Sequence, residues 1–139
     1  MTSWRVTGLH HVAVAGGADR TGEGMFASLL GEPAHTEDGD GFIERMYEAG
    51  GSFLQTLEAT GDGVVQRFLD TRGPGLHHVA FEVDRIDDAL EDLDARGVTL
   101  IDREARPGGM GTRIAFLHPS AAGGVLIELV ESEQGGVDG

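Results

Sequence analysis

Leu9-His10-His11-Val12-Ala13 and Leu76-His77-His78-Val79-Ala80 are the same five residues, LHHVA, written twice in one chain. Each copy opens an extended-looking run, "LHHVAVA" and "LHHVAFEV". A repeated string at the head of two strands predicts that one supersecondary unit is built twice. Helical spacing follows each copy. After the second, "DRIDDALEDLDARG" places Ile86, Ala89, Leu90 and Leu93 on one face and stops at Arg96-Gly97. After the first, "GADRTGEGMFASLLG" holds Gly22 and Gly24, each costing about 1 kcal/mol of helix stability relative to alanine. That helix should be short or start late.

Strand-like runs complete each half. The first half has a weak "EPAHTE", then "GFIERMYEA" and "SFLQTLEA"; the second has "VTLI", "TRIAFLH" and "VLIELVE". Glycine-rich turns separate them. Between the halves, "TGDGVVQRFLDTRGPG" reads as a linker with a short helix ending near Gly73. The expectation is an α+β fold in one domain of 139 residues. It consists of two tandem βαβββ modules, at about 7–59 and 75–131, a linker at about 60–74, and a disordered acidic tail at about 132–139. One helix covers one sheet face of each module, so the bare faces would pair around a shared half-barrel cleft.

Alternation sorts the doubled histidines. His10 goes with Val12 and Val14, and His77 with Val79, Phe81 and Val83. These apolar lines belong under helices, so His10 and His77 read as structural. His11 goes with Ala13 and Ala15, and His78 with Leu76, Ala80 and Glu82, a smaller and more polar face, as a cleft lining would be. On the last strand of each half, Gln55 interrupts Phe53 and Leu57, and Glu128 interrupts Leu126 and Val130. A buried carboxylate is costly unless paired or bound to a metal. His11, Gln55, His78 and Glu128 thus form a symmetric imidazole, carboxamide and carboxylate set. It suits a divalent ion such as Co²⁺, Ni²⁺, Mn²⁺, Fe²⁺ or Zn²⁺. With no cysteine, a structural zinc site is disfavoured.

Composition narrows the function classes. The formal net charge is −14, which disfavours nucleic acid and anionic membranes as partners. All 10 basic residues are arginines, so lysine Schiff-base chemistry is excluded. No apolar run reaches the ~20 residues of a membrane helix, and the first residues lack a signal-peptide pattern, so a cytoplasmic protein is expected.

The chain resembles the vicinal oxygen chelate (glyoxalase–bleomycin resistance) superfamily and, within it, the methylmalonyl-CoA epimerases. The residues that carry the resemblance are "GLHHVAFEVDRIDDALEDLDARGV" from Gly75 to Val98 and "RIAFLHPSAAGGVLIELVE" from Arg113 to Glu131. "LHHVAVA" near the start and "FLQTLEA" from Phe53 to Ala59 also match. Position by position, the family's metal ligands fall on His11, Gln55, His78 and Glu128, and Co²⁺ leads the candidate metals. A second acidic position of bacterial members falls on Glu44, which alternates with Phe42 and Met46 and so should point inward.

The resemblance implies inversion at the 2-position of methylmalonyl-CoA or a close substituted malonyl-CoA, through a metal-stabilised enolate. Glu44 and Glu128 would be the acid–base pair on opposite sides of the reacting carbon. It implies an acyl-CoA substrate and a homodimer. Arg106, Gly109 and Arg113, in and around "PGGMG", would meet phosphate or carboxylate groups of the substrate. Two alternatives stay open: a glyoxalase-like isomerase or lyase on the same scaffold, and a non-catalytic metabolite- or drug-binding relative.

Overall fold

The structure is a computed structural model and describes residues 3–16 and 22–133. The expected start of the first helix at 17–21 and the tail from 134 onward lie outside the described residues. The chain divides into two compact units, residues 11–78 and residues 1–10 with 79–139. Both boundaries fall inside the repeated strings. The elements are β1 (Val6–Gly16), α1 (Glu23–Leu30), β2 (His35–Asp38), β3 (Phe42–Ala49), β4 (Ser52–Ala59), α2 (Val64–Arg72), β5 (Gly75–Val83), α3 (Ile86–Ala95), β6 (Arg106–Pro107), β7 (Arg113–Leu117) and β8 (Leu126–Glu131). The fold is α+β, with one eight-stranded sheet in the order β2-β3-β4-β1-β5-β8-β7-β6.

In the unit spanning 11–78, β1 runs parallel to β4, with His11 opposite Phe53 and Ala13 opposite Gln55. β3 is antiparallel to β4 and β2 to β3. Directly opposed residues share a sheet face. One face therefore carries His11, Ala13 and Ala15 of β1; Phe53, Gln55 and Leu57 of β4; Phe42, Glu44 and Met46 of β3; and His35 and Glu37 of β2. The opposite face carries Arg45 and Tyr47, and α1 lies there. Arg45 bonds Glu23 of α1 at 3.3 Å and Glu58 at 2.8 Å, and the Tyr47 hydroxyl donates to Glu23. Burial, reinforced by the Glu23 carboxylate, pushes the Tyr47 phenol up to about 12. Glycines delay α1 as expected: it begins after Gly22 and has 8 residues.

The linker helix forms at Val64–Arg72, as its pattern predicts. Its seat was not foreseen. Val65, Phe68 and Leu69 pack on Ala13, Ala15 and Leu57, the face that carries His11 and Gln55. The small side chains of β1, read in the sequence as cleft lining, leave room for this helix.

The turn leading into β3 depends on Gly41. Its φ is +87°, and a Cβ there would overlap the Asp62 carbonyl oxygen. Its own carbonyl accepts Thr60 N–H at 2.8 Å and Gly61 N–H at 3.2 Å. A Gly41→Ala variant combines left-handed strain with a backbone clash, and should lose about 2–4 kcal/mol of stability in urea denaturation. A change within about 0.5 kcal/mol, the range of ordinary surface substitutions, would contradict this account.

In the other unit, the start of β1 is fixed by Arg5 N–H donating to Asp84 Oδ1 at 2.8 Å and Thr7 Oγ1 donating to the Glu82 carbonyl at 3.3 Å. α3 buries Ile86, Ala89 and Leu90 against Val83, Ala115, Leu117 and Leu129. No side chain of its first residues caps it. Instead Glu131 of β8 accepts Ile86 N–H at 2.8 Å, and Asp87 and Asp88 suit the positive end of the helix dipole.

"VTLI" does not form the expected strand. It contributes one isolated bridge, Leu100 to Leu117, and the sheet edge falls instead to Arg106–Pro107. Ile101 and Asp102 both donate their N–H to the Phe116 carbonyl, at 2.9 and 3.1 Å, while the Asp102 carboxylate accepts Phe116 N–H at 2.8 Å. A side chain thus takes a ladder position that a backbone carbonyl would otherwise fill, and pairing stops there.

Among the described residues, no helix is long and apolar enough to cross a membrane.

Candidate metal centre

Strand interiors rarely bury polar side chains, so those that are buried mark a site. Among the described residues, six polar or charged residues are buried: His11, Gln55, Thr56, His78, Thr112 and Glu128. Four of the six are the set selected by repeat symmetry. Each sits on a different strand, Gln55 on β4, His11 on β1, His78 on β5 and Glu128 on β8.

Within residues 11–78, the Nε2 atoms of His11 and His78 lie 3.0 Å apart, with the rings nearly perpendicular at 78°. With metal–nitrogen bonds of about 2.1 Å, two ligands meeting at a right angle would sit about 3.0 Å apart. The spacing of the two nitrogens therefore fits two adjacent corners of an octahedral ion. Gln55 is 6% exposed and lies beside Ala13 on the His11 face. Within this unit the polar groups brought together are two imidazoles and a carboxamide, with no thiolate, donor types that suit a borderline or hard divalent ion.

Glu44 is half-buried and shares the Gln55 face, opposite Leu57 on one side and Glu37 on the other. His35, Glu37 and Glu44 present ligand-type atoms within 4.8 Å of one another, and His35 Nε2 lies 2.9 Å from Glu37 Oε1. The sequence alone offered no reason to notice His35 or Glu37. Only the β2–β3 register brings them beside Glu44.

In the unit that contains Glu128, the carboxylate stands opposite Phe116, on the face that also carries Ile114, Val130 and Arg106. The Arg106 guanidinium lies over the Phe116 ring, 5.6 Å from its centroid, and bonds Asp102 at 3.2 Å. Arg113 has the opposite parity. It makes a two-pronged pair with Asp87 of α3, at 2.9 and 3.1 Å, and that pair raises its guanidinium pKa. Between them, Gly109 accepts from Thr112 Oγ1 at 2.7 Å, and Met110 takes a left-handed conformation at φ 60°.

His77 departs from its expected place under a helix that follows it. It is half-buried, its ring packs on Phe68 of α2 at a centroid distance of 4.7 Å, and its Nδ1 lies 2.8 Å from His78 Nδ1.

Residues 35–116, more than half of the chain, match the glyoxalase/bleomycin resistance protein/dioxygenase superfamily. The chain is 33% identical over 135 residues to the mitochondrial methylmalonyl-CoA epimerase of Bos taurus, covering 93% of this chain and 77% of that protein. It is 42% identical over 86 residues to the uncharacterized protein YqjC of Bacillus subtilis, covering 61% of each, so the match spans under two thirds of that relative. Among solved structures it resembles a Streptomyces coelicolor methylmalonyl-CoA epimerase variant in complex with 2-nitronate-propionyl-CoA. There the TM-score is 0.83 and the identity 37%, over 92% of this chain and 99% of that one.

Proposed function

Because the chain belongs to the glyoxalase/bleomycin resistance protein/dioxygenase superfamily, and within it to the methylmalonyl-CoA epimerase family, we propose that it is a metal-dependent epimerase. It inverts the 2-position of methylmalonyl-CoA or a close substituted malonyl-CoA. The observation that carries the reading is the 3.0 Å separation of the His11 and His78 Nε2 atoms, both histidines buried in the same unit as the buried Gln55; Glu128 is likewise buried in its own unit. Imidazole, carboxamide and carboxylate donors together suit a divalent ion, with Co²⁺ foremost among Co²⁺, Mn²⁺, Ni²⁺, Zn²⁺ and Fe²⁺.

When bound, the ion supplies Lewis acidity to the thioester and carboxylate oxygens of the substrate and so makes the intervening C–H more acidic. The chain's own residues do the rest. Inversion needs one group to remove the α-proton from one side and a second to return a proton from the other. Glu44, on the Gln55 face, is proposed as one of the pair and Glu128 as the other. Glu128 then serves as both ligand and acid–base group, which requires its hold on the ion to be exchangeable. Arg106 offers a guanidinium to an anionic part of the acyl-CoA. Of the flanking arginines it is favoured over Arg113, which Asp87 already holds with two hydrogen bonds. The protein is proposed to act as a homodimer in the cytoplasm.

Turnover of a single methylmalonyl-CoA epimer in D₂O tests the reading. Chelated protein should neither epimerise nor exchange the α-proton, and added Co²⁺ should restore both. Undiminished exchange after chelation, or none with metal restored, would sink it.

A further inference from the structure

Building on the proposed metal centre, we infer that His77 is a positioning residue for His78: its Nδ1 accepts the Nδ1–H of His78 and thereby turns the Nε2 lone pair of His78 toward His11. A neutral imidazole carries a single ring proton. A metal at Nε2 requires that proton on Nδ1, and a buried N–H needs an acceptor. The acceptor for a ligating histidine is commonly a carboxylate, a backbone carbonyl or water. Here His77 Nδ1 stands 2.8 Å from His78 Nδ1, while His78 Nε2 stands 3.0 Å from His11 Nε2. His78 thus has one nitrogen committed to His77 and the other to the metal position.

Neighbouring strand residues point their Cβ atoms to opposite faces. Nδ1 lies next to the ring carbon that joins the side-chain stem, so two adjacent imidazoles can meet by these inner nitrogens. The rings stand at 77° with centroids 5.1 Å apart. His77 is itself held. Its ring packs on Phe68 of α2, and the Arg72 guanidinium lies 5.8 Å from the centroid of the same Phe68 ring. The linker helix therefore reaches the metal position through Phe68, His77 and His78 in turn. Acceptance at Nδ1 requires the ring proton of His77 to sit on Nε2.

Two substitutions separate an acceptor role from a packing role. His77→Phe keeps an aromatic ring on Phe68 and removes the acceptor. His77→Asn removes the ring and places a carbonyl oxygen near the former Nδ1 position. Calorimetric titration of the metal-free proteins with Co²⁺ should show a dissociation constant about 10–100-fold weaker for His77→Phe, and near wild type for His77→Asn. In the zinc-loaded wild type, nitrogen-edited NMR should place the His77 proton on Nε2.

If His77→Phe binds Co²⁺ as tightly as wild type, or His77→Asn binds more weakly than His77→Phe, the inference fails while the metal centre stands. A proton on His77 Nδ1 would overturn it too. If the wild type binds no Co²⁺, both the inference and the proposed function fall.

Discussion

Glu44→Gln should lower epimerisation of methylmalonyl-CoA by about 10³-fold while Co²⁺ affinity stays at the wild-type value, because a general acid–base group contributes roughly 10²–10⁴-fold. The substitution keeps size and hydrogen-bonding capacity and removes the ability to take up a proton. Register is what supports giving Glu44 this proposed role. It lies on the Gln55 face, its Glu44–Leu57 pair standing two positions along the ladder from the Met46–Gln55 pair. A two-sided mechanism also predicts a split phenotype. With Glu44 silenced, Glu128 can still exchange the α-proton of one epimer with solvent deuterium, while inversion is blocked. Loss of exchange with both epimers, together with loss of Co²⁺ binding, would mean that Glu44 supports the site rather than reacting in it. Wild-type turnover would remove Glu44 from the mechanism.

Much of this was legible in the chain because two periodicities agreed. The repeat said that two similar units exist, and alternation said which histidine of each pair is set among small residues. In the structure His11 and His78 are both buried, at 4% and 5% exposed. Strands β3, β4, β7 and β8 lie where their apolar alternation placed them, since that pattern is the cause of their pairing. Three features escaped, each for a physical reason. "VTLI" has strand composition, yet Asp102 caps the Phe116 amide and ends the ladder, a competition that propensity does not register. The helical spacing of the linker predicted α2, but which surface a short amphipathic helix covers depends on where Ala13 and Ala15 leave space. His77 was assigned by parity to an apolar face, and parity describes where the Cβ points, not where a planar ring can turn. Its contact with His78 lies between neighbours in sequence, across the strand rather than along it.

His11→Ala and His78→Ala should each weaken Co²⁺ binding by more than the ~10–100-fold expected from loss of an outer partner, since each would remove a donor proposed to contact the ion itself. His10→Ala, which differs only in strand parity, should leave the affinity unchanged. The reading can be made without turnover. Saturating a site at about 100 times its dissociation constant stabilises the folded state by about 2.7 kcal/mol, so Co²⁺ should raise the melting temperature of wild type and His10→Ala but not of the two ligand variants. The metal-free melting temperatures carry a second test. The Nε2 atoms of His11 and His78 are 3.0 Å apart within one compact unit, and without metal they can share a proton as a hydrogen bond. Removing either histidine leaves the other buried nitrogen short of that partner, at a cost of about 1–3 kcal/mol. The double variant His11→Ala/His78→Ala should then cost less than the sum of the single variants, because neither nitrogen remains to be left unpaired. Additive losses would show that the two imidazoles do not interact in the metal-free protein. Retained Co²⁺ stabilisation in either single variant would show that the pair is not the core of the metal site.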